Sequence, residues 1–118
     1  MPRSRNIKPA FFANENLADL DYMTRLLFIG LWCLADRDGR LEDRPRRIRG
    51  FLFPYETTEI DDNLARLDEA GFIIRYEVDG CKYIQITNFH KHQNPHCNEA
   101  KSTIPAPEGY SANTKGAS

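Results

Sequence analysis

Apolar positions between Asp21 and Thr87 recur first with helical and then with extended spacing, and each change is marked by a breaker residue. Asp21 is a suitable N-cap, and Met23, Leu26, Leu27, Gly30, Leu31 and Leu34 follow at three- and four-residue intervals. Phe28, Ile29 and Trp32 widen that stripe until the helix, running to about Ala35, is apolar nearly all round. Such a helix is expected at the centre of a fold, covered on several sides. Asp36-Arg37-Asp38-Gly39 ends it with turn chemistry, and Leu41 is placed for a very short strand. Pro45 suits a first helical turn, Ile48, Phe51 and Leu52 give one apolar face, and Pro54 stops the element. Thr58 and Asp61 resemble a capping box, Ile60, Leu64 and Leu67 form the next stripe, and Gly71 is a natural residue just past a helix end. Phe72–Val78 and Cys81–Thr87, rich in β-branched and aromatic residues, then read as strands around the hairpin signal Asp79-Gly80. That turn sets Val78 opposite Cys81, Glu77 opposite Lys82 and Tyr76 opposite Tyr83, a register favoured by an opposite-charge pair and an aromatic pair.

Helix, helix, helix and ribbon is the layout of an α+β winged helix-turn-helix, a three-helix core with a wing of two or three strands. Residues 1–16 read as a basic N-terminal arm, 17–97 as the folded domain and 98–118 as a flexible tail or linker. No internal repeat interrupts this order.

Composition narrows the class. The 118 residues suffice for one small core, with 41% hydrophobic and 28% charged residues, as in ordinary globular proteins. No apolar run approaches the roughly 18 residues that cross a bilayer, and the basic N-terminus lacks a secretory apolar region. Cys33, Cys81 and Cys97 are odd in number and widely spaced, which suits free thiols in a reducing cytoplasm. The net charge of −1 conceals segregation: residues 37–49 hold six Arg against three acids, and residues 56–70 hold six acids against one Arg. A polyanion would meet a basic face and a basic arm and be repelled by an acidic face.

The residues also carry a resemblance. Arg25 to Trp32, Ala35-Asp36-x-x-Gly39-Arg40, Leu52-Phe53-Pro54, Gly71-Phe72-Ile73, Tyr83-Ile84-Gln85-Ile86 and His90-Lys91-His92-Gln93 resemble the N-terminal winged-helix domain of phage and prophage replication-initiator or replisome-organiser proteins. These are related in plan to DnaD-type primosome proteins. Arg5-Asn6-Ile7-Lys8-Pro9-x-Phe11-Phe12 is similar to that family's opening, so the resemblance spans roughly residues 3–97. It implies DNA binding at a replication origin, or assembly with host replication proteins such as a helicase or its loader, in the bacterial cytoplasm. Homo-oligomerisation is an alternative use of the domain. The family usually has another C-terminal region, and here the chain stops soon after the domain.

Candidate contacts follow from charge. Arg44, Arg46, Arg47 and Arg49 suit phosphates, the alternative being a solvated helix face interleaved with Glu42 and Asp43. The third helix is nominally the base reader, yet its acids leave only Asn63 and Arg66 as readers on its polar face. Those acids equally suit a basic protein surface, which would make the chain an adaptor or oligomerisation domain; a transcriptional regulator is a third possibility. Arg75 and Lys82 on the wing are placed to track a backbone, although Glu77 can satisfy Lys82. Arg3, Arg5 and Lys8 suit a minor-groove arm or a disordered terminus. His90, His92, His96 and Cys97 offer metal-ligand atoms, but their spacing matches no usual zinc pattern, so no metal is expected. Phe89 and His90 are expected to pack on the domain, leaving Lys91 and Gln93 exposed near nucleic acid. No nucleophile with a base, phosphate loop or carboxylate pair stands out, so neither catalysis nor a cofactor is expected.

Overall fold

A computed structural model describes residues 2–93 and 99–109. The chain opens with two single-turn helices, α1 (Ala10–Ala13) and α2 (Glu15–Ala18), the second capped by the Asn14 side chain. α3 (Tyr22–Leu34) starts where Asp21 accepts the Thr24 N–H, as the sequence led us to expect. β1 (Arg40–Glu42) supplies the short strand around Leu41, and α4 (Pro45–Leu52) has its proline in the first turn. α5 (Asp61–Glu69), β2 (Ile73–Val78), β3 (Cys81–Ile86) and the single turn α6 (Phe89–His92) complete the order. The described residues thus form an α+β domain of six helices and one antiparallel sheet in the order β1-β3-β2. No helix among them is long and apolar enough to cross a membrane.

The hairpin register is the expected one, with Val78 opposite Cys81, Glu77 opposite Lys82 and Tyr76 opposite Tyr83. Asp79 and Gly80 both take positive φ (53° and 81°), the combination a two-residue turn needs to match strand twist. Gly39 meets a double requirement. Its φ is +79°, and a Cβ there would lie 2.7 Å from Phe89 Cβ, so the turn after α3 closes directly onto α6.

Leu27, Phe28, Leu31 and Trp32 are buried at the centre, between Leu64 and Leu67 of α5 and Ile73, Ile84 and Ile86 of the sheet. Leu41 and Ile48 carry this core under β1 and α4, while Phe11 and Leu17 close its other end. The expected stripe on α3 needs correction at Leu26. Tyr22 and Leu26, one turn apart on α3, are 83% and 57% exposed. Helical geometry explains this: Thr24, Leu27, Phe28, Leu31 and Trp32 form the buried face, and positions 22 and 26 lie on the opposite side of the helix. The proposed Thr58 cap is also absent, since the N-cap of α5 is Ile60 and makes no side-chain cap bond. The apolar Ile60 side chain is 1% exposed, so burial rather than capping fixes this start.

Two chain segments expected to be loose lie against the domain. Residues 99–109 do not leave it as a tail. Glu99 pairs with Arg3 and Arg5, the Ser102 hydroxyl bonds the Asp36 carboxylate, and Arg40 Nη1 donates to the Ile104 carbonyl at 3.1 Å. The Tyr76 hydroxyl donates to the Pro105 carbonyl at 2.7 Å, tying this strap to β2. The N-terminal segment is joined in turn by the Arg3 N–H, which donates to the Cys33 carbonyl at 2.9 Å.

Candidate nucleic-acid interface

The segregated charges become distinct surfaces once the elements are placed. Ile48, only 3% exposed, anchors α4 and faces inward, so helical spacing turns Arg46, Arg47 and Gly50 towards solvent. Arg44 is exposed and meets Glu42 only at 3.4 Å, with both side chains at least half exposed. Arg46 and Arg47 have no hydrogen-bond or ion-pair partner among the described residues. Arg49 is half-buried and donates to the Glu56 carbonyl oxygen. Three cations therefore sit at or near the N-terminal end of a helix, where the backbone dipole is positive and favours anions. A polyanion bound here would offset that unfavourable placement.

A groove of about 300 Å³ runs beside this helix. Leu34, Leu41 and Ile48 form its apolar floor, Phe51 and Ile104 stand at its sides, and Arg44 and Arg47 lie on its rim. Phe51, expected on the buried face of α4, is 51% exposed. Nothing in the local pattern marked this groove, because it needs the N-terminal segment, α3, β1, α4 and the strap together.

The remaining candidates are distributed differently. Asn63 is not on the polar face of α5: it is 6% exposed and donates Nδ2–H to Thr24 Oγ1 at 2.9 Å, tying α5 to α3. Arg66 is exposed and pairs with Asp21 at 3.4 Å. Arg75 is drawn inward, because its Nε and Nη2 donate to the two oxygens of Asp43 at 2.7 and 3.0 Å, with a further bond to Asp61 at 2.6 Å. The Asp43 bonds raise the guanidinium pKa further still, so its charge is permanent and already neutralised. Lys82 is exposed beside Glu77 in the ladder. Arg5 departs most from the arm reading. Its side chain is 5% exposed, donates Nε–H to the Trp32 carbonyl (3.0 Å) and Nη2–H to the Ala35 carbonyl (3.1 Å), and lies over the Phe89 ring. It thereby satisfies carbonyls at the end of α3 that the helix leaves open. Arg3 pairs with Glu99 at 2.5 Å, and Lys8 donates to the Lys91 carbonyl at 3.1 Å. Lys91 itself is exposed.

Of the four metal-ligand candidates, His96 and Cys97 lie outside the described residues. His90 is exposed rather than packed on the domain. His92 stacks on Trp32 with ring centres 5.2 Å apart and meets Phe28 edge-on, and burial pushes its pKa below the usual imidazole range, helped by Lys8 and Lys91. No group of three His, Cys, Asp or Glu side chains placed to hold a metal occurs among the described residues. Gln93, expected in solvent, is 2% exposed and bonds the Asn6 backbone through both ends of its amide. Glu99 was missed altogether, since a lone acid in a polar stretch carries no local signal of the two arginines it meets.

Set against family models, curated proteins and solved structures, the chain has no significant match.

Proposed function

We propose that this protein is a winged-helix DNA-binding module that grips the phosphate backbone with Arg44, Arg46 and Arg47. The carrying observation is that Arg46 and Arg47 stand exposed and unpartnered among the described residues, near the positive end of α4. Phosphate contacts recruit long cationic side chains and release counterions from the duplex. Lys82 and Lys91 extend the basic surface, while Arg5, Asn63 and Arg75 serve the fold. The strand order β1-β3-β2 after α3, with α4 and α5 between β1 and β2, supports the winged-helix plan. The sequence resemblance to phage replication initiators extends the proposal to a role at a replication origin.

The test is anisotropy of a labelled duplex across a salt series. Arg46→Ala with Arg47→Ala weakens binding to all sequences alike and flattens the log–log salt slope by about 1.8, two contacts at about 0.9 each. An unchanged slope removes the mechanism. A second reading, a protein-docking adaptor, is favoured by α5, whose solvent face presents Asp62, Asp68 and Glu69. It predicts that the double variant loses nothing, while reversal of the three acids abolishes capture of a helicase or helicase loader.

A further inference from the structure

The groove beside α4 has a composition that a backbone-tracking surface does not require. At about 300 Å³ it reaches the lower end of the ~300–1,000 Å³ range of small-molecule sites. Its floor is apolar, Leu34, Leu41 and Ile48, and a half-exposed aromatic ring, Phe51, stands beside it. Two acids line it, and Asp36 is fully engaged. Asp36 accepts the Asp38 and Arg40 N–H groups at 2.9 and 3.0 Å and bonds Ser102, while Glu42, half exposed, reaches Arg44 only at 3.4 Å. Arg47 on the rim has no partner among the described residues. The free chemistry is thus one flat apolar face next to cationic donors, which complements a base attached to its phosphate.

We propose that the groove receives an unpaired nucleotide, so that the protein prefers single-stranded or locally opened DNA to closed duplex. This rests on the reading of α4 as the phosphate-binding face, because the rim arginines of the groove belong to that face. A strand whose backbone follows Arg46 and Arg47 passes the groove mouth, where a splayed base can stack on Phe51. Paired bases are stacked inside a helix and cannot enter. Stacking on an aromatic ring is tolerant of sequence, so the preference is for strandedness rather than for a particular base.

The experiment compares a labelled oligothymidylate, which cannot self-pair, with a hairpin duplex at one salt concentration. The expected result is tighter binding of the single strand. Phe51→Ala lowers that binding roughly tenfold, the size of one lost base stack, and leaves duplex binding unchanged. Phe51→Trp retains the preference, which separates loss of stacking from loss of fold. Equal affinity for the two DNAs, or a Phe51→Ala variant that affects both alike, overturns the groove assignment while leaving the phosphate reading standing. Absence of binding to either DNA overturns both. Phe51-dependent binding of a glutamate- and leucine-rich peptide, without binding of oligothymidylate, gives the groove to a protein partner and likewise overturns the proposal.

Discussion

Arg47 and Arg75 carry the same guanidinium in very different circumstances. Arg47 faces solvent on α4, whereas Arg75 is clamped by Asp43 and Asp61. The Asp43 side chain is only 5% exposed, so removing Arg75 strands a carboxylate away from water. Arg75→Ala is expected to lower stability by about 2 kcal/mol, measured by urea unfolding, with duplex affinity unchanged in the fraction that folds. His92 gives a residue-scale dependence on pH. Its folded pKa is lowered, so the unfolded chain binds the proton more readily, and stability falls as pH drops from about 6.5 through the folded value. Denaturant midpoints between neutral and mildly acidic pH should show this slope, and His92→Phe, which keeps a ring on Trp32, should reduce it. Neither residue announced itself in the sequence. Arg75 read as a wing cation because its two acids come from other elements, and the packing of His92 was not legible because its ring partners lie on α3.

At the scale of elements, the hydrophobic pattern was informative. The cap at Asp21, the proline start of α4 and the Asp79-Gly80 register are local encodings, and the fold contains each of them. Legibility failed where burial came from distant chain. The start of α5 is set by Ile60 entering the core, and the strap is held by arginines more than ninety positions away. Periodicity has no access to such separations. The strap supplies an element-scale prediction. Its anchor Glu99 has a pKa lowered chiefly by the Arg5 hydrogen bonds, then by the charges of Arg5 and Arg3. That contribution is fully present above the ordinary carboxylate range and is lost as pH falls through the depressed folded value. Glu99→Gln should therefore increase proteolysis within 99–109 at neutral pH, and the variant and parent should converge in strong acid.

Over the whole molecule, the net charge of −1 averages a cationic α4 and an anionic α5 that belong to one small body. Salt therefore acts on the protein's orientation towards a polyanion as well as on its affinity. Sequence could place these charges on separate elements, but not decide which of them were already neutralised; that required the tertiary pairs at Arg5, Asp43 and Glu99. The groove was invisible for the same reason, being shared among five segments.

The clip between the two ends of the fold has a mechanical consequence. Glu99 holds Arg3 and Arg5 directly, so the incoming and outgoing segments meet at one point on the surface. Tension applied between those segments would load these ion pairs one after another, as in peeling, rather than shear the strands of the sheet together. The clip should yield first under force, while α3 and the hairpin remain folded.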